Sequence, residues 1–219
     1  MSPHELIQDT AREIAARCPR LTLSCYWAGT SVISLEELHH RSSFDLDFHT
    51  LVALQDTRPF LAELELGFPG HVRVLQPPDR VGAAFSALLR LKTGENLPVQ
   101  VLSNYEDVPE SDIVPSRSVP GLVRVSLLRY LADKIQCVAE RVEARDLFDI
   151  ESVITRHPRM AAAAQQFAAG QDALILAERL TGWTDDAIAN DLAGYSGVDP
   201  RIAANARERL LRWLRDAAK

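Results

Sequence analysis

The chain has 219 residues, 47% of them hydrophobic and 25% charged, with a formal net charge of −6. That size allows one substantial core, or a core with a smaller second lobe. The acidic balance argues against a protein that coats nucleic acid non-specifically, because phosphate neutralisation requires a basic surface; a local basic cleft for a nucleic-acid end, or a basic partner, stays open.

The cysteines and the hydropathy pattern bear on the compartment. Cys18, Cys25 and Cys137 are odd in number and have no metal-ligand spacing, which favours a reducing environment over a disulfide scaffold. No apolar run approaches the ~20 residues of a membrane span, and the N-terminus lacks the apolar core of a signal peptide. We therefore expect a cytoplasmic protein with no membrane partner.

The first elements are predicted as a helix over residues 3–17, a strand over 21–27 and a short helix over 31–38. Between the last two lies a small-residue turn that contains Gly29 and Thr30. Such a turn at a helix start can offer backbone N–H groups and a hydroxyl to phosphate oxygens. A requirement for positive φ would by itself account equally well for the glycine.

Two aspartates follow in a strand-like pattern. Asp45 and Asp47 alternate with Leu46 and Phe48, so both carboxylates leave the sheet on one face. At about 3.3 Å per residue, their Cα atoms lie roughly 6.6 Å apart. Mg²⁺ is typically held by one or two carboxylates together with substrate phosphates. A lone Asp-x-Asp is more often a solvated strand face. The turn upstream is the additional observation that strengthens the prediction of phosphate chemistry.

These blocks resemble the AbiEii-like nucleotidyltransferases, a toxin branch of the DNA polymerase β nucleotidyltransferase superfamily. That branch typically reads Gly-Gly-Thr-Ala-Leu, then His-x-Arg-x-Ser-x-Asp-Leu-Asp-Phe, then a distal Lys helix followed by Arg-Asp-x-x-Asp. The resemblance covers about residues 22–153, and Ala28 departs from its Gly-Gly pair. The matching side chains here are Gly29, Thr30, Arg41, Ser43, Asp45, Asp47, Lys134, Arg145, Asp146 and Asp149.

The resemblance implies an α+β fold, with a nucleotidyltransferase-like mixed-sheet lobe over residues 1–108 and a helical C-terminal lobe over 122–219. It implies Mg²⁺ on Asp45 and Asp47 as the catalytic metal. The nucleotide-binding residues that it implies are Gly29, Thr30, Arg41, Ser43 and Arg145.

The distal block carries the remaining catalytic residues that the resemblance implies. Lys134 would stand near the triphosphate and offset the charge that develops on the leaving pyrophosphate. Asp146 and Asp149 would orient this lysine or the acceptor, and Arg145 would pair with a carboxylate or phosphate. Considered without the resemblance, Lys134 and Arg141 predict a solvated helix face, and Arg145 with Asp146 predicts a surface ion pair worth at most ~1 kcal/mol.

A β-hairpin is predicted from residues 83–91 and 97–102 around a turn-rich connector. In the resembled superfamily, the second strand usually supplies a third metal carboxylate. Here it offers only Gln100 and Ser103, which bind Mg²⁺ poorly. Three alternatives stay open: two carboxylates suffice, Glu106 or Asp107 reaches the metal, or catalysis is weakened.

The rest of the chain is predicted as a linker followed by helices. Residues 105–121 are rich in Pro, Ser, Asp and Glu and indicate the linker. Ser126 then caps a helix whose buried stripe comprises Leu128, Leu131, Ile135 and Val138. Further helices are predicted over residues 160–169, 172–180, 184–192 and 200–218. The last could contact RNA phosphates through its arginines, but Glu208 and Asp216 interrupt the basic run and favour a solvated face.

The predicted activity is the NTP-dependent transfer of an NMP to a hydroxyl acceptor. The resemblance suggests tRNA as the acceptor, and a toxin with a cognate antitoxin protein. A small-molecule acceptor, as in antibiotic nucleotidyltransferases, is the alternative enzyme. The alternative of a different class is a catalytically degenerate protein that binds nucleotide or a partner. Ala28 and the missing carboxylate motivate this alternative.

Overall fold

The computed structural model describes residues 3–141 and 143–217. Contacts within the chain divide it into two units, Met1–Ser126 and Leu127–Lys219. Within the described residues, the strands all belong to the first unit, and the second unit consists of helices and their connections. The predicted α+β class, with a mixed sheet followed by helices, is confirmed.

The first unit contains a seven-stranded sheet with the order β3-β4-β5-β2-β1-β7-β6. Two neighbouring pairs, β2 with β5 and β1 with β7, are parallel, and the other pairs are antiparallel. The predicted hairpin forms β4 and β5. The strands are β1 (Cys25–Ala28), β2 (Leu46–Thr50), β3 (Val72–Gln76), β4 (Ala84–Arg90), β5 (Asn96–Leu102), β6 (Ile113–Pro115) and β7 (Val123–Val125).

Four helices belong to the same unit. The third continues directly into a π-helical turn, Ser34–Leu38, which ends at His39 with a left-handed φ of 47°. The helix predicted near the N-terminus is confirmed. The helices are α1 (Pro3–Arg17), α2 (Pro19–Ser24), α3 (Gly29–Ile33) and α4 (Arg58–Gly67).

The strand predicted over residues 21–27 is wrong in its first half, which forms α2. Pro19 occupies the first turn of this helix, where its missing N–H costs nothing. The carboxylate of Glu63, on α4, accepts the backbone N–H groups of Arg20 and Leu21 at 2.9 and 2.8 Å. This cap comes from a residue more than forty positions away, so no local pattern indicates it.

The predicted linker also differs from the structure. Residues 110–112 form a 3₁₀ turn, and β6 follows directly and pairs with β7. The segment between these two strands is held by the Glu36 carboxylate, which accepts hydrogen bonds from the hydroxyls of Ser116 and Ser118, both at 2.5 Å. Composition favours a linker here, but one buried acid makes the segment part of the first unit.

Glu36 also pairs with Arg124 on β7, with 2.6 Å between Oε2 and Nε, and the two side chains are only 2% and 4% exposed. Burial alone would raise the pKa of Glu36. Hydrogen bonds from Ser116, Ser118 and the backbone N–H of Arg117 outweigh burial and lower this pKa from 4.5 to about 2. The ionised form is therefore the one that the fold stabilises.

Acid should weaken this unit through Glu36. Because the folded pKa is depressed, its contribution is complete above about pH 4.5 and is lost as the pH falls towards 2. We expect Glu36→Gln to lower the free energy of unfolding by about 2 kcal/mol near neutral pH, since Arg124 keeps Glu37 as a partner. In urea titrations the difference from wild type should shrink below about pH 4. A constant difference would contradict this assignment, and Glu65→Gln, at an exposed position, is the control.

The second unit contains six helices in its described part. Helix α5 buries Leu131, Ile135 and Val138, as predicted, but Leu128 is 43% exposed and Lys134 lies on the buried face instead. The end predicted for the last helix, Ala218, lies outside the described residues. The helices are α5 (Leu127–Glu140), α6 (Ala144–Arg156), α7 (Ala161–Ala169), α8 (Ala173–Gly182), α9 (Asp185–Leu192) and α10 (Pro200–Ala217).

The arginines of α10 are largely paired within the unit. Arg209 forms a two-pronged pair with Glu151 at 2.7 and 2.9 Å, and Arg207 contacts Asp185 at 2.9 Å. Arg201 pairs with Asp199 at 2.8 Å. These contacts favour the predicted solvated, ion-paired face over an RNA-binding one. In the described part of the chain, no helix combines the length and apolarity needed to cross a bilayer.

Candidate active site

The two aspartates lie where the strand pattern predicts them. Leu46 and Phe48 are fully buried, whereas Asp45 and Asp47 are partly exposed. Asp47 lies within β2, beside Ala28 of β1, and Asp45 immediately precedes the strand. By strand alternation both carboxylates belong to the face opposite the apolar side chains. One face of the sheet therefore presents a pair of carboxylates to its surroundings.

Ser43 positions the first of these carboxylates. Its hydroxyl donates to Asp45 Oδ1 at 2.6 Å. A charge-assisted hydrogen bond of this kind restrains the rotation of the carboxylate. Ser43, predicted among the nucleotide-binding residues, is thus placed against a predicted metal ligand.

Gly29 is in contact with the second carboxylate. Its φ is +76°, and a Cβ built on it would lie 2.4 Å from Asp47 Oδ2. Both the backbone conformation and the close approach therefore exclude a side chain. The requirement for positive φ is therefore only one of two reasons for glycine at this position. The other is that the Asp47 carboxylate fills the space in which a Cβ would lie.

Thr30 and Arg41 form a buried pair behind this turn. The Arg41 guanidinium donates from Nη2 to Thr30 Oγ1 at 3.0 Å, and the two residues are 7% and 5% exposed. The hydroxyl of Ser34 in turn donates to the backbone carbonyl of Arg41. These bonds tie the segment before β2 to the start of α3, which fixes the position of Gly29 relative to Asp47.

The third carboxylate position is occupied by Gln100. Strand β5 is parallel to β2, and Gln100 is the register partner of Asp47. The alternative acids do not stand there: Asp107 accepts the backbone N–H of Ala53 at 2.8 Å, and Val108 donates to the carbonyl of Leu51. Leu51 is four residues beyond Asp47, roughly 13 Å along an extended chain. We therefore discard Glu106 and Asp107 as the third ligand.

The carboxylates fit a hard divalent cation in chemistry. Mg²⁺ prefers oxygen ligands and keeps several waters or substrate oxygens, so two carboxylates on one face are a sufficient protein contribution. Both carboxylates are partly exposed, so an ion can reach them from solvent. Across residues 3–141 and 143–217, no cluster of three or more His, Cys, Asp or Glu side chains forms an alternative metal site.

The distal block forms a separate cluster within the second unit. Lys134 Nζ lies 2.7 Å from Asp146 Oδ1 and 3.1 Å from Asp149 Oδ2, and both aspartate side chains are fully buried. Arg141 Nε contacts Asp146 Oδ2 at 2.9 Å. The expectation of a solvated Lys134 is therefore wrong, and so is that of a surface pair between Arg145 and Asp146.

Arg145 is linked to this cluster through Glu143, which also lies 3.3 Å from Arg141. It pairs with Glu143 at 2.6 Å, and its Nη1 lies 3.4 Å from the hydroxyl of Tyr195. Burial would lower the pKa of Arg145, but the hydrogen bond to Glu143 outweighs it and raises the pKa. Burial would likewise lower the pKa of Arg141, but the hydrogen bond to Asp146 outweighs it, so this pKa is raised as well. Both guanidiniums stay charged.

One further pair lies on the carboxylate-bearing face and was not predicted. His49 is two residues beyond Asp47, and its Nδ1 lies 3.4 Å from the hydroxyl of Tyr26, with the ring centroids 5.6 Å apart. The period of two places His49 on the face of Asp47, so the sequence carries this signal. The pairing with Tyr26 follows only from the register of β1 and β2.

Known structures share the fold. A protein from H. pylori assigned as a nucleotidyltransferase matches 100% of this chain and 98% of its own, at 17% identity and a TM-score of 0.59. JHP933 from Helicobacter pylori matches 100% and 96%, at 17% identity and a TM-score of 0.58. MenT4, a nucleotidyltransferase toxin from Mycobacterium tuberculosis H37Rv, matches 96% of this chain and 83% of its own, at 16% identity and a TM-score of 0.56.

The sequence itself matches no protein-family model and no curated protein. At identities of 16–17%, the structural matches establish the fold alone. The fold that the resemblance implied is thereby confirmed over nearly the whole chain. This chain has the nucleotidyltransferase fold, with Asp45 and Asp47 partly exposed on one face of its sheet.

Proposed function

We propose that the chain is a metal-dependent nucleotidyltransferase that moves an NMP from an NTP to a hydroxyl acceptor. The observation that carries the proposal is the pair of partly exposed carboxylates, Asp45 and Asp47, on one face of a sheet with this fold. Gly29 lies in contact with the second of them. A divalent cation would offset the repulsion between the two charges.

The reaction would be an in-line displacement at the α-phosphorus. The acceptor oxygen forms a bond to this phosphorus, the bond to the bridging oxygen breaks, pyrophosphate leaves, and the hydroxyl proton passes to solvent. Mg²⁺, when bound, would supply charge stabilisation and align the phosphate oxygens. Asp45 and Asp47 would hold it, and Ser43 would keep the Asp45 carboxylate oriented.

The first unit also offers a candidate phosphate-binding turn. Thr30 follows Gly29, and Arg41 holds its hydroxyl at 3.0 Å. We propose that Arg41 acts by fixing this turn, because its guanidinium is buried and directed to Thr30. Gly29 and Thr30 would then present backbone groups to the phosphates.

For the distal residues we retain the roles that the resemblance implies. Lys134 is proposed to neutralise the triphosphate, with Asp146 and Asp149 orienting it and Arg145 contributing to nucleotide binding. The ion pairs at 2.7 and 3.1 Å support the orienting role, because they fix the ammonium group of Lys134.

The acceptor and the biological role are proposed from the family resemblance and from one structural match. MenT4 is a nucleotidyltransferase toxin, and its likeness to this chain supports a toxin role; the cognate antitoxin is proposed from the resemblance alone. We propose tRNA as the acceptor. Because each protein contact to phosphate releases counterions, transfer to tRNA should fall steeply with salt, whereas transfer to a small neutral acceptor should not.

The testing experiment combines the protein with total tRNA, Mg²⁺ and each α-³²P-labelled NTP in turn, with a parallel series in EDTA. We expect label on RNA from one NTP, and none when the metal is chelated. A parallel reaction contains an aminoglycoside in place of tRNA. Label on the aminoglycoside but not on RNA would favour the antibiotic-type enzyme. NTP binding without transfer to either acceptor would favour the non-catalytic alternative, which the neutral Gln100 beside Asp47 supports.

A further inference from the structure

We infer that the side chains of this sheet hold a single divalent cation in the absence of nucleotide, because Gln100 occupies the position beside Asp47 on β5 from which a further carboxylate could share a second ion. The inference rests on the proposed function and specifies its metal content. In the parallel register of β2 and β5, Gln100 and Asp47 are direct partners and therefore belong to the same face. Neighbouring strands lie about 4.8 Å apart, within reach of one coordination sphere.

No other acid on this part of the sheet supplies the third carboxylate that Gln100 lacks. At the level of Asp47 the paired residues are Ala28 on β1, Gln100 on β5 and Ser86 on β4. Strands β1, β2, β4 and β5 contain Asp47 as their single acidic residue, with Asp45 just before β2. Glu36, on the π-helical turn that follows α3, is committed to Arg124 and two serines.

The charge balance decides between one ion and two. Two divalent ions in a shared site stand only about 3.5–4 Å apart and carry four positive charges. Before nucleotide binds, the two carboxylates supply two negative charges, which match one ion; a triphosphate brings negative charges and oxygen ligands of its own. A third carboxylate would reduce the repulsion between two ions, whereas a neutral amide does not. An amide is also a weaker ligand for hard cations than a carboxylate. The second ion therefore lacks both charge and ligands from the protein.

Gln100 is also well suited to a gain-of-ligand experiment. It is exposed and lies within a regular strand, so replacing it with Asp changes charge without disturbing a buried contact. Ser86 provides a position-matched control. It lies on the same row but one strand further from Asp47, at roughly 10 Å, which is too far to share an ion.

The experiment is a Mn²⁺ titration of the whole chain without nucleotide, because a triphosphate would itself bind Mn²⁺, and the bound ions are observed by electron paramagnetic resonance. Wild type should bind one Mn²⁺ with the spectrum of an isolated ion. Gln100→Asp should bind two, with the altered spectrum of spin-coupled ions. Gln100→Asn and Ser86→Asp should each remain at one, and Asp47→Asn should lose the site.

The outcomes separate the inference from the proposed function. Two coupled ions in wild type, or one ion in a folded Gln100→Asp variant, would overturn the single-ion inference while leaving nucleotidyl transfer untouched. Wild type that binds no Mn²⁺, with Asp47→Asn indistinguishable from it, would overturn the metal site and the proposed function with it. Circular dichroism establishes that each variant is folded.

Discussion

Asp47→Asn should reduce nucleotidyl transfer by about 10³-fold or more, equivalent to about 4 kcal/mol of transition-state stabilisation. The substitution keeps the shape of the side chain but removes one of the two charges that would hold the cation beside the phosphates. Asp47 is partly exposed, so the neutral amide should be accommodated by the fold. The measurement is the initial rate of label transfer, with circular dichroism and thermal unfolding recorded on the same preparation.

Glu106→Gln is the matched control for this experiment. It also removes one carboxylate from the first unit, but it is exposed and follows β5 by several residues. We expect it to retain full activity. Undiminished transfer by a folded Asp47→Asn variant would rule out the assigned site, and a loss in Glu106→Gln as large as that in Asp47→Asn would restore Glu106 as a third ligand.

Lys134→Met should lower the free energy of unfolding by about 3–5 kcal/mol, because it removes the charge that two buried carboxylates share. Asp146 and Asp149 are fully buried, and Lys134 Nζ lies within 3.1 Å of both. Arg141 remains as a partner for Asp146 only through its partly exposed side chain. Chemical denaturation monitored by tryptophan fluorescence measures the change.

Lys92→Met is the control, since Lys92 is 79% exposed and pairs only with Glu13 on the surface. Its loss should cost less than about 1 kcal/mol. Adding Asp149→Asn to Lys134→Met should recover part of the stability, because it removes a buried charge that has lost its ion pair with Lys134, whereas Asp146 keeps Arg141. A Lys134→Met variant as stable as wild type would show that the cluster contributes little to folding.

Local periodicity determined much of the first unit. The alternation around Asp45 and Asp47 predicted a half-buried strand, and β2 buries Leu46 and Phe48 accordingly. The connector between two strand-like runs predicted the hairpin of β4 and β5. These features depend on neighbours within a few residues, so they can be recognised without knowing where the rest of the chain lies.

The partners of the site residues were decided by tertiary structure. Glu36, which carries no motif, anchors the segment predicted as a linker, and Glu63 caps a helix predicted as a strand. The local pattern predicts Lys134 as a surface charge, whereas in the structure two aspartates of α6 lie against it.

The sequence by itself determined which residue types are present for the chemistry: two alternating carboxylates, a glycine turn, and a neutral glutamine in the second strand of the hairpin. Only the tertiary structure decided that Gly29 lies against Asp47 and that Gln100 is its register partner. The physical reason is that strand register and side-chain burial depend on contacts between residues far apart in the chain, about which a local hydrophobic pattern carries no information.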